Sequence, residues 1–236
     1  MCGRYSQTLK RDDLAGIFPQ VTSISGHDDL FERFNVAPTD DVLTIVTTKE
    51  GERRIGPLRW GLVPFWAKDL KIGSKMINAR ADTLTGKAAF RDLVEHGRSR
   101  CLIVADGYYE WLRPEDPKGL RIPMHMTLRD HAPFAFAGLW TYWRPKDDPD
   151  APRVATCTII TTDANATVRP VHDRMPVILA DEESQATWLD RGLDHDGVRG
   201  LLRPLPDDRL TVTPANPLVN NVANDGPELL VGPPAT

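Results

Sequence analysis

The sequence predicts an α+β fold: a single compact domain with a largely antiparallel, barrel-like β core and a few peripheral helices. Two observations carry this. β-branched and aromatic runs crowd together between residues 100 and 162, separated by short polar or Pro-rich pieces. Helical spacings fall between groups of such runs rather than in strict alternation with them, which argues against a parallel βαβ sheet. A third observation sets the domain count. No break in composition divides the chain, so 1–236 reads as one domain with its core over about 2–230.

The elements follow in order. Arg11–Phe18 reads as a short helix stopped by Pro19, and Asp28–Phe34 as a second. Val42–Thr48 is a β-branched run, and Arg53–Gly61 a further strand. In Lys87–His96 the apolar residues Phe90, Leu93 and Val94 have helical spacing, with Gly97 as the stop. Strands are predicted at Arg100–Ala105, Tyr108–Leu112, Ile122–Leu128, Phe134–Trp140 and Arg153–Thr162, with Arg144–Pro152 as the plainest surface loop. Pro176–Ala180 is another short strand. Asp181 caps a helix to Leu189, with acids in its first turn and Gly192 beyond its end. Arg209–Thr213 gives a last strand in a Pro-rich tail.

Composition removes several classes of function. With 41% hydrophobic and 26% charged residues, the chain is ordinary globular protein rather than disordered. No apolar run has the ~20 residues a membrane span needs. The N-terminal MCGRYSQTLKRDD lacks an apolar targeting region. Cys2, Cys101 and Cys157 are widely separated, with no CxxC or HxxxH spacing, so neither a metal nor another cofactor is expected. Their odd number points to reduced thiols and a cytoplasmic location. No glycine-rich phosphate loop is present. The net charge of −4 argues against nucleic acid, but its distribution argues the other way. Arg53–Arg100 holds 11 Lys/Arg against 4 Asp/Glu, net +7, so the remainder carries −11. That asymmetry fits a basic face for phosphate and, equally, a solvated surface with acidic tails.

Cys2 is the first chemical candidate. Once Met1 is removed, it carries an α-amine and a thiol on adjacent carbons. The amine has an ordinary pKa of about 7.7–8.0, so a useful fraction is neutral at neutral pH. Such an amine condenses with an aldehyde to a Schiff base, and the thiol then closes a five-membered thiazolidine. The same geometry suits an N-terminal nucleophile hydrolase. Position alone leaves an accidental second residue as the plainer alternative. Gly3 permits a sharp or left-handed turn, and Arg4 is a cation suited to phosphate or to a surface salt bridge.

The segment from Trp60 to Ala67 is aromatic and proline-bearing, flanked by Arg59, Lys68, Lys71 and Lys75. Aromatic faces beside cations hold unpaired bases; Trp60 reads as core and Trp66 as a surface platform. Asn78-Ala-Arg80 offers an amide that can both donate and accept and a guanidinium for phosphate, although such a tripeptide is usually a turn. In Asp106-Gly-Tyr-Tyr-Glu-Trp111, strand alternation places Tyr108 and Glu110 on one face and Tyr109 and Trp111 on the other. A carboxylate amid aromatics is partly desolvated, which suits Glu110 to proton transfer; the alternative is a pair with an arginine. Asp106 reads as a turn former. His172 sits on a loop between Pro170 and Pro176, a setting that favours catalysis over packing. Its neighbours Asp173 and Arg174 are expected to pair. His27, His96, His125, His131 and His195 have duller settings.

Met-Cys-Gly-Arg4, Asn35-Val-Ala-Pro38, Trp60-Gly with Pro64 and Trp66, Asn78-Ala-Arg80, Asp106 to Trp111, Val171-His-Asp-Arg174 and Asn221-Val-Ala-Asn224 occur in that order. As an ordered set they resemble the SOS-response-associated peptidase family, also called the abasic-site processing family, over essentially the whole chain. The resemblance implies an abasic-site sensor that crosslinks covalently to single-stranded DNA, shielding the lesion, with a thiol autopeptidase step that removes Met1. It implies lyase-type chemistry at Cys2, Asn78, Glu110 and His172, and DNA contacts at Arg4, Pro38, Trp66, Arg80 and Thr161. The partners implied are single-stranded DNA bearing abasic sites and proteins of the replication fork, for a monomer that associates with the nucleoid and not with membrane. Two positions depart from the pattern. Ala67 follows Trp66 where some members carry a second tryptophan, and Ala223 stands where relatives can carry lysine. Competing readings are a thiol peptidase acting on other proteins, a non-catalytic reader of modified DNA bases, and a basic-faced domain with a protein partner.

Overall fold

A computed structural model describes residues 2–95, 97–114, 116 and 119–232. The fate of Met1 and the expected helix end at His96 lie outside the described residues. In chain order the strands are β1 (Tyr5–Gln7), β2 (Val21–Ile24), β3 (Arg33–Val36), β4 (Asp41–Thr47), β5 (Arg53–Trp60), β6 (Asn78–Arg80) and β7 (Arg100–Ala105). They continue with β8 (Gly107–Leu112), β9 (Ile122–Leu128), β10 (Phe134–Trp143), β11 (Val154–Asp163), β12 (Arg174–Pro176), β13 (Ile178–Leu179) and β14 (Leu210–Pro214). The helices are α1 (Leu14–Ile17), α2 (Arg91–Glu95), α3 (Glu182–Leu189) and α4 (His195–Leu201).

Five strands close on themselves. β5, β4, β7, β10 and β11 pair antiparallel in that order, and β11 returns to β5 through a short parallel seam at Thr156–Arg59 and Cys157–Trp60. Closure removes the free edges that an open sheet would expose. Pro57 sits where the outer edge of β5 changes partner, from β2 at Arg53–Ile55 to β11 at Arg59–Trp60, a place that tolerates its missing N–H. A second, antiparallel sheet runs β14, β9, β8, β1, β3. This is the mixed α+β, sheet-dominated single domain that the strand runs predict.

Alternation along the barrel strands divides the core in two. Leu43, Ile45, Leu102, Val104, Ala135 and Ala137 pack with Trp188 and Leu189 of α3. Their neighbours Cys101, Ile103, Phe136, Cys157 and Ile159 point to the opposite face, where they pack with Tyr5, Tyr108 and Met126 of the second sheet. Cys2 belongs to this second cluster.

Four predicted elements need correction. Asp28–Phe34 forms a single 3-10 turn at Asp28–Leu30 and then turns into β3. Glu32 adopts φ +52°, which no helix allows, and Asp225 accepts from the Phe34 and Asn35 backbone N–H groups. Lys87–His96 shortens to α2, with Phe90 N–H closing a turn on Lys87 C=O at 2.9 Å. Asn78–Arg80 is a strand rather than a turn. The strand expected at Pro176–Ala180 is divided between β12, on β11, and β13, on β10, and Asp181 caps α3 as expected, by accepting from the Ser184 N–H at 2.8 Å.

Candidate active site around Cys2

Residue 2 lies just before β1, and β1 lies between β3 and β8. Tyr5 faces Tyr108 across the β1–β8 pair, and Tyr109 N–H donates to Arg4 C=O at 2.9 Å. The same antiparallel register carried two residues back brings Glu110 opposite Gly3. Alternation along β8 is as predicted. Tyr108 joins the cluster that holds Cys2, while Tyr109 and Trp111 form a separate one with Val219 and Leu229. Glu110 therefore shares the Cys2 face, and it is buried.

Asn78 arrives from the other side. β6 runs parallel to β11, pairing Asn78 with Ile159 and Arg80 with Thr161. Ala79 enters the helix-side core, so Asn78 is directed to the Cys2 side. Its Nδ2 donates to Cys2 C=O at 2.8 Å, while its Oδ1 is buried with no hydrogen-bond partner. A buried amide oxygen without a donor loses its hydration for nothing in return.

The Cys2 thiol is fully buried, with Sγ 3.8 Å from Arg4 C=O. Burial pushes its pKa well above the ordinary thiol range, and the negative charge of Glu110 pushes it further. At neutral pH it is a thiol, not a thiolate. Cys101 and Cys157 are likewise free, buried and protonated.

His172 lies in the turn that leads into β12, and β12 pairs with the same end of β11 that β6 does. Val171, directly before it, packs on the Cys2 cluster. The ring Nδ1 is 2.9 Å from the Arg174 backbone N–H and 2.9 Å from Asp173 Oδ1. The first contact favours a proton on Nε2 and the second a proton on Nδ1, so the two pull the tautomer in opposite directions.

Arg174 does not pair with Asp173 as expected. Its guanidinium bonds Asp163 Oδ1 at 2.5 Å and Asp82 Oδ1 at 3.1 Å, and also donates to Thr161 C=O. Asp82 in turn holds Arg80 through two contacts, at 2.9 and 3.2 Å. This chain of charges is invisible to motif reading, because Arg174 lies 92 positions from Asp82. Asp106 is also more than a turn former. It accepts from Ser6 Oγ, Thr8 N–H and Thr8 Oγ1, each at 2.6 Å, and Ser6 Oγ lies 3.1 Å from His125 Nε2.

The expected DNA contacts have varied placements. Arg4 Nη1 donates to Asn35 Oδ1 at 2.7 Å and Val219 C=O at 2.8 Å, so half of its fork serves the fold. Pro38 is half-buried in a turn whose next residue, Thr39, has φ +79°, a strained value for a β-branched residue. Thr39 N–H is fixed by Trp60 C=O at 2.8 Å. Trp60 is core, and Trp66 is 40% exposed beside Phe65, 68% exposed, at the tip of a turn closed by Ala67 N–H to Pro64 C=O. Arg80 is exposed. Thr161 is fully buried, as Cys2 is, and its Oγ1 has no hydrogen-bond partner. It shares the face of Ile159 and so points toward the Cys2 cluster. Among the described residues no His/Cys/Asp/Glu group is arranged to hold a metal, and no helix is long and apolar enough to cross a membrane.

Fold and site together define a β-barrel protein organised around a buried cysteine, held by an amide and flanked by a carboxylate. Residues 1–222 match the SOS response associated peptidase (SRAP) family, and the chain belongs to it. It is 42% identical over 231 residues to abasic site processing protein YoqW of Bacillus subtilis, covering 98% of this chain and 99% of that one. It is 28% identical over 265 residues to abasic site processing protein HMCES of Xenopus tropicalis, covering 98% of this chain and 78% of that one. A crystal structure of a protein from Bacteroides thetaiotaomicron superimposes with TM-score 0.85 at 25% identity, covering 98% of this chain and all of that one.

Proposed function

We propose that this protein processes abasic sites in single-stranded DNA by forming a covalent thiazolidine crosslink through Cys2 after Met1 is removed. The observation that carries the reading is the hold of Asn78 on residue 2. The Asn78 amide fixes the Cys2 carbonyl and keeps a buried, unpartnered oxygen in reserve. That oxygen suits a donor that arrives during the reaction, an α-amine N–H or a sugar hydroxyl. The names of the relatives support the substrate class.

The steps balance as a condensation. His172 gives a proton to O4′ as the C1′–O4′ bond breaks and recovers one from the C1′ hydroxyl, which leaves the open aldehyde. The Cys2 amine, relieved of a proton by Glu110, adds to C1′. Glu110 returns the proton to the departing hydroxyl, and water leaves to give the imine. The thiol then adds to C1′, its proton passing to the imine nitrogen, and the five-membered ring closes. A thiol held protonated and buried beside a carboxylate is poorly set for acyl attack on a passing peptide, and it needs only to reach an imine formed one carbon away. Ring closure also removes the electron sink that would drive strand cleavage by β-elimination.

Intact mass spectrometry tests the reading. Protein mixed with an oligonucleotide carrying one abasic site is expected to gain the oligonucleotide mass less one water, on a chain lacking Met1. A Cys2→Ala protein is expected to give only a labile imine. An equally durable Cys2→Ala adduct, or no adduct on the native chain, would overturn it.

A further inference from the structure

Beside the Phe65–Trp66 turn lies a recess of about 330 Å³ lined by Phe65, Tyr142, Trp143, Arg144 and Arg153. It lies where the β10–β11 hairpin meets the aromatic turn, and the roles assigned above to Trp66 and the Cys2 site make no use of it. Its floor is rigid. Trp143 is buried and its Nε1–H is committed to Ala67 C=O at 2.9 Å. Its walls are aromatic and exposed: Tyr142 is 48% exposed and stands edge-on to Trp140 at 5.1 Å. Its charges are cationic. Arg153 is exposed, and Arg144 is tethered to Pro149 C=O, with its Nε buried and lacking a hydrogen-bond partner. The acids of the intervening loop are not among the lining residues. Phe65 belongs to both features, because it also packs edge-to-face on Trp66 with centroids 4.9 Å apart.

Exposed aromatic rings beside guanidinium groups and no lining carboxylate fit a nucleotide: a π face for stacking and an anion for the cations. We propose that this recess is a second nucleotide subsite, which takes one unpaired base of the bound strand beyond the base that stacks on Trp66. The base stacks against Tyr142 and Phe65, and its phosphate meets the exposed Arg153 guanidinium. The proposal rests on the reading that the chain binds single-stranded DNA at an abasic site.

The test uses oligonucleotides carrying a tetrahydrofuran abasic analogue, which has no aldehyde and so reports binding alone. They are trimmed one nucleotide at a time from each end, and affinity is read by fluorescence anisotropy. One trimming step is expected to weaken the native protein about tenfold, in keeping with the loss of one stacked base. That step is expected to vanish in Tyr142→Ala and to return in Tyr142→Phe. Arg153→Ala is expected to reduce the slope of log affinity against log salt by about 0.7. A trimming profile of the native protein without a step, or a step of equal size in Tyr142→Ala, would overturn the subsite. Failure of the aldehyde-bearing oligonucleotide to crosslink would instead strike the covalent reading and leave the trimming result standing.

Discussion

A thiol beside a carboxylate in a closed core stays protonated, and the proposed crosslinking reaction accordingly begins at the Cys2 nitrogen. In that proposal Glu110 is a proton carrier for the amine rather than a base for sulfur. Glu110→Gln is expected to slow crosslinking by about 10²–10⁴-fold, with affinity for the tetrahydrofuran oligonucleotide unchanged. Quench-flow followed by denaturing gels reads the rate, and an undiminished rate would remove Glu110 from the mechanism. A second buried group responds to acid. Desolvation lowers the pKa of His125 to about 4, and its Nε2–H faces Ser6 Oγ, whose own proton goes to Asp106. In the unfolded chain the ring titrates near 6.5. Between those values the unfolded state binds the extra proton, so stability falls as pH drops from about 6.5 to about 4, by about 3 kcal/mol in all. Urea unfolding across that range is expected to show the loss in the native protein and a flatter profile in His125→Gln; parallel profiles would refute the assignment. The alternation in β8 that separates Glu110 from Tyr109 was legible from residue order alone. The Ser6–Asp106–His125 group was not, because 119 positions separate Ser6 from His125 and neither spacing nor composition links them.

The turn that carries Phe65 and Trp66 is held from behind. Ala67 points inward against Val63 and Trp143, and its carbonyl takes the Trp143 indole N–H. Gly61, at φ +124°, packs so closely on Gly73 that a Cβ there would lie 2.6 Å from the Gly73 carbonyl oxygen. These contacts bury Ala67, and the two exposed aromatics of the turn are Phe65 and Trp66. Ala67→Trp is therefore expected to overpack the core beneath the turn and destabilise the protein by about 1–3 kcal/mol, seen as a lower thermal midpoint. An unchanged midpoint would mean that the loop turns freely. The same dependence on distant partners limits what the sequence can reveal of the elements. Long strands such as β7 and β10 carry their own alternation and were legible. β1, β6 and β12 are three residues each, too short to show a period, and exist because β8 and β11 pair with them. The helical reading of 28–34 failed for the same reason, since pairing with β1 and the Asp225 carboxylate outweighed local preference.

Across the whole molecule, the start of the chain is tied to its end. Asn35 Nδ2 reaches the carbonyls of Val219, Asn221 and Asn224, and Arg4 reaches Asn35 and Val219, so the segment around residue 221 straps the strand that follows Cys2. Charge is organised on the same scale. A chain of net −4 gathers +7 into 53–100, and the exposed Lys68, Lys71, Lys75 and Arg80 lie in that stretch. Yet Arg80 is not free in the unbound protein, because Asp82 takes both of its contacts and shares itself with Arg174. A phosphate has to displace a carboxylate before it gains the guanidinium, which lowers affinity for any strand and leaves less counterion release to be measured. Asp82→Asn keeps the shape of the side chain and removes that competition. It is expected to tighten binding of a single strand about threefold or more at low salt and to steepen the salt dependence by about 0.7, one phosphate contact on a single strand. The double variant with Arg80→Ala is expected to lose both gains, since the two act on one guanidinium. If Asp82→Asn binds with native affinity and slope, Arg80 lies off the path of the strand.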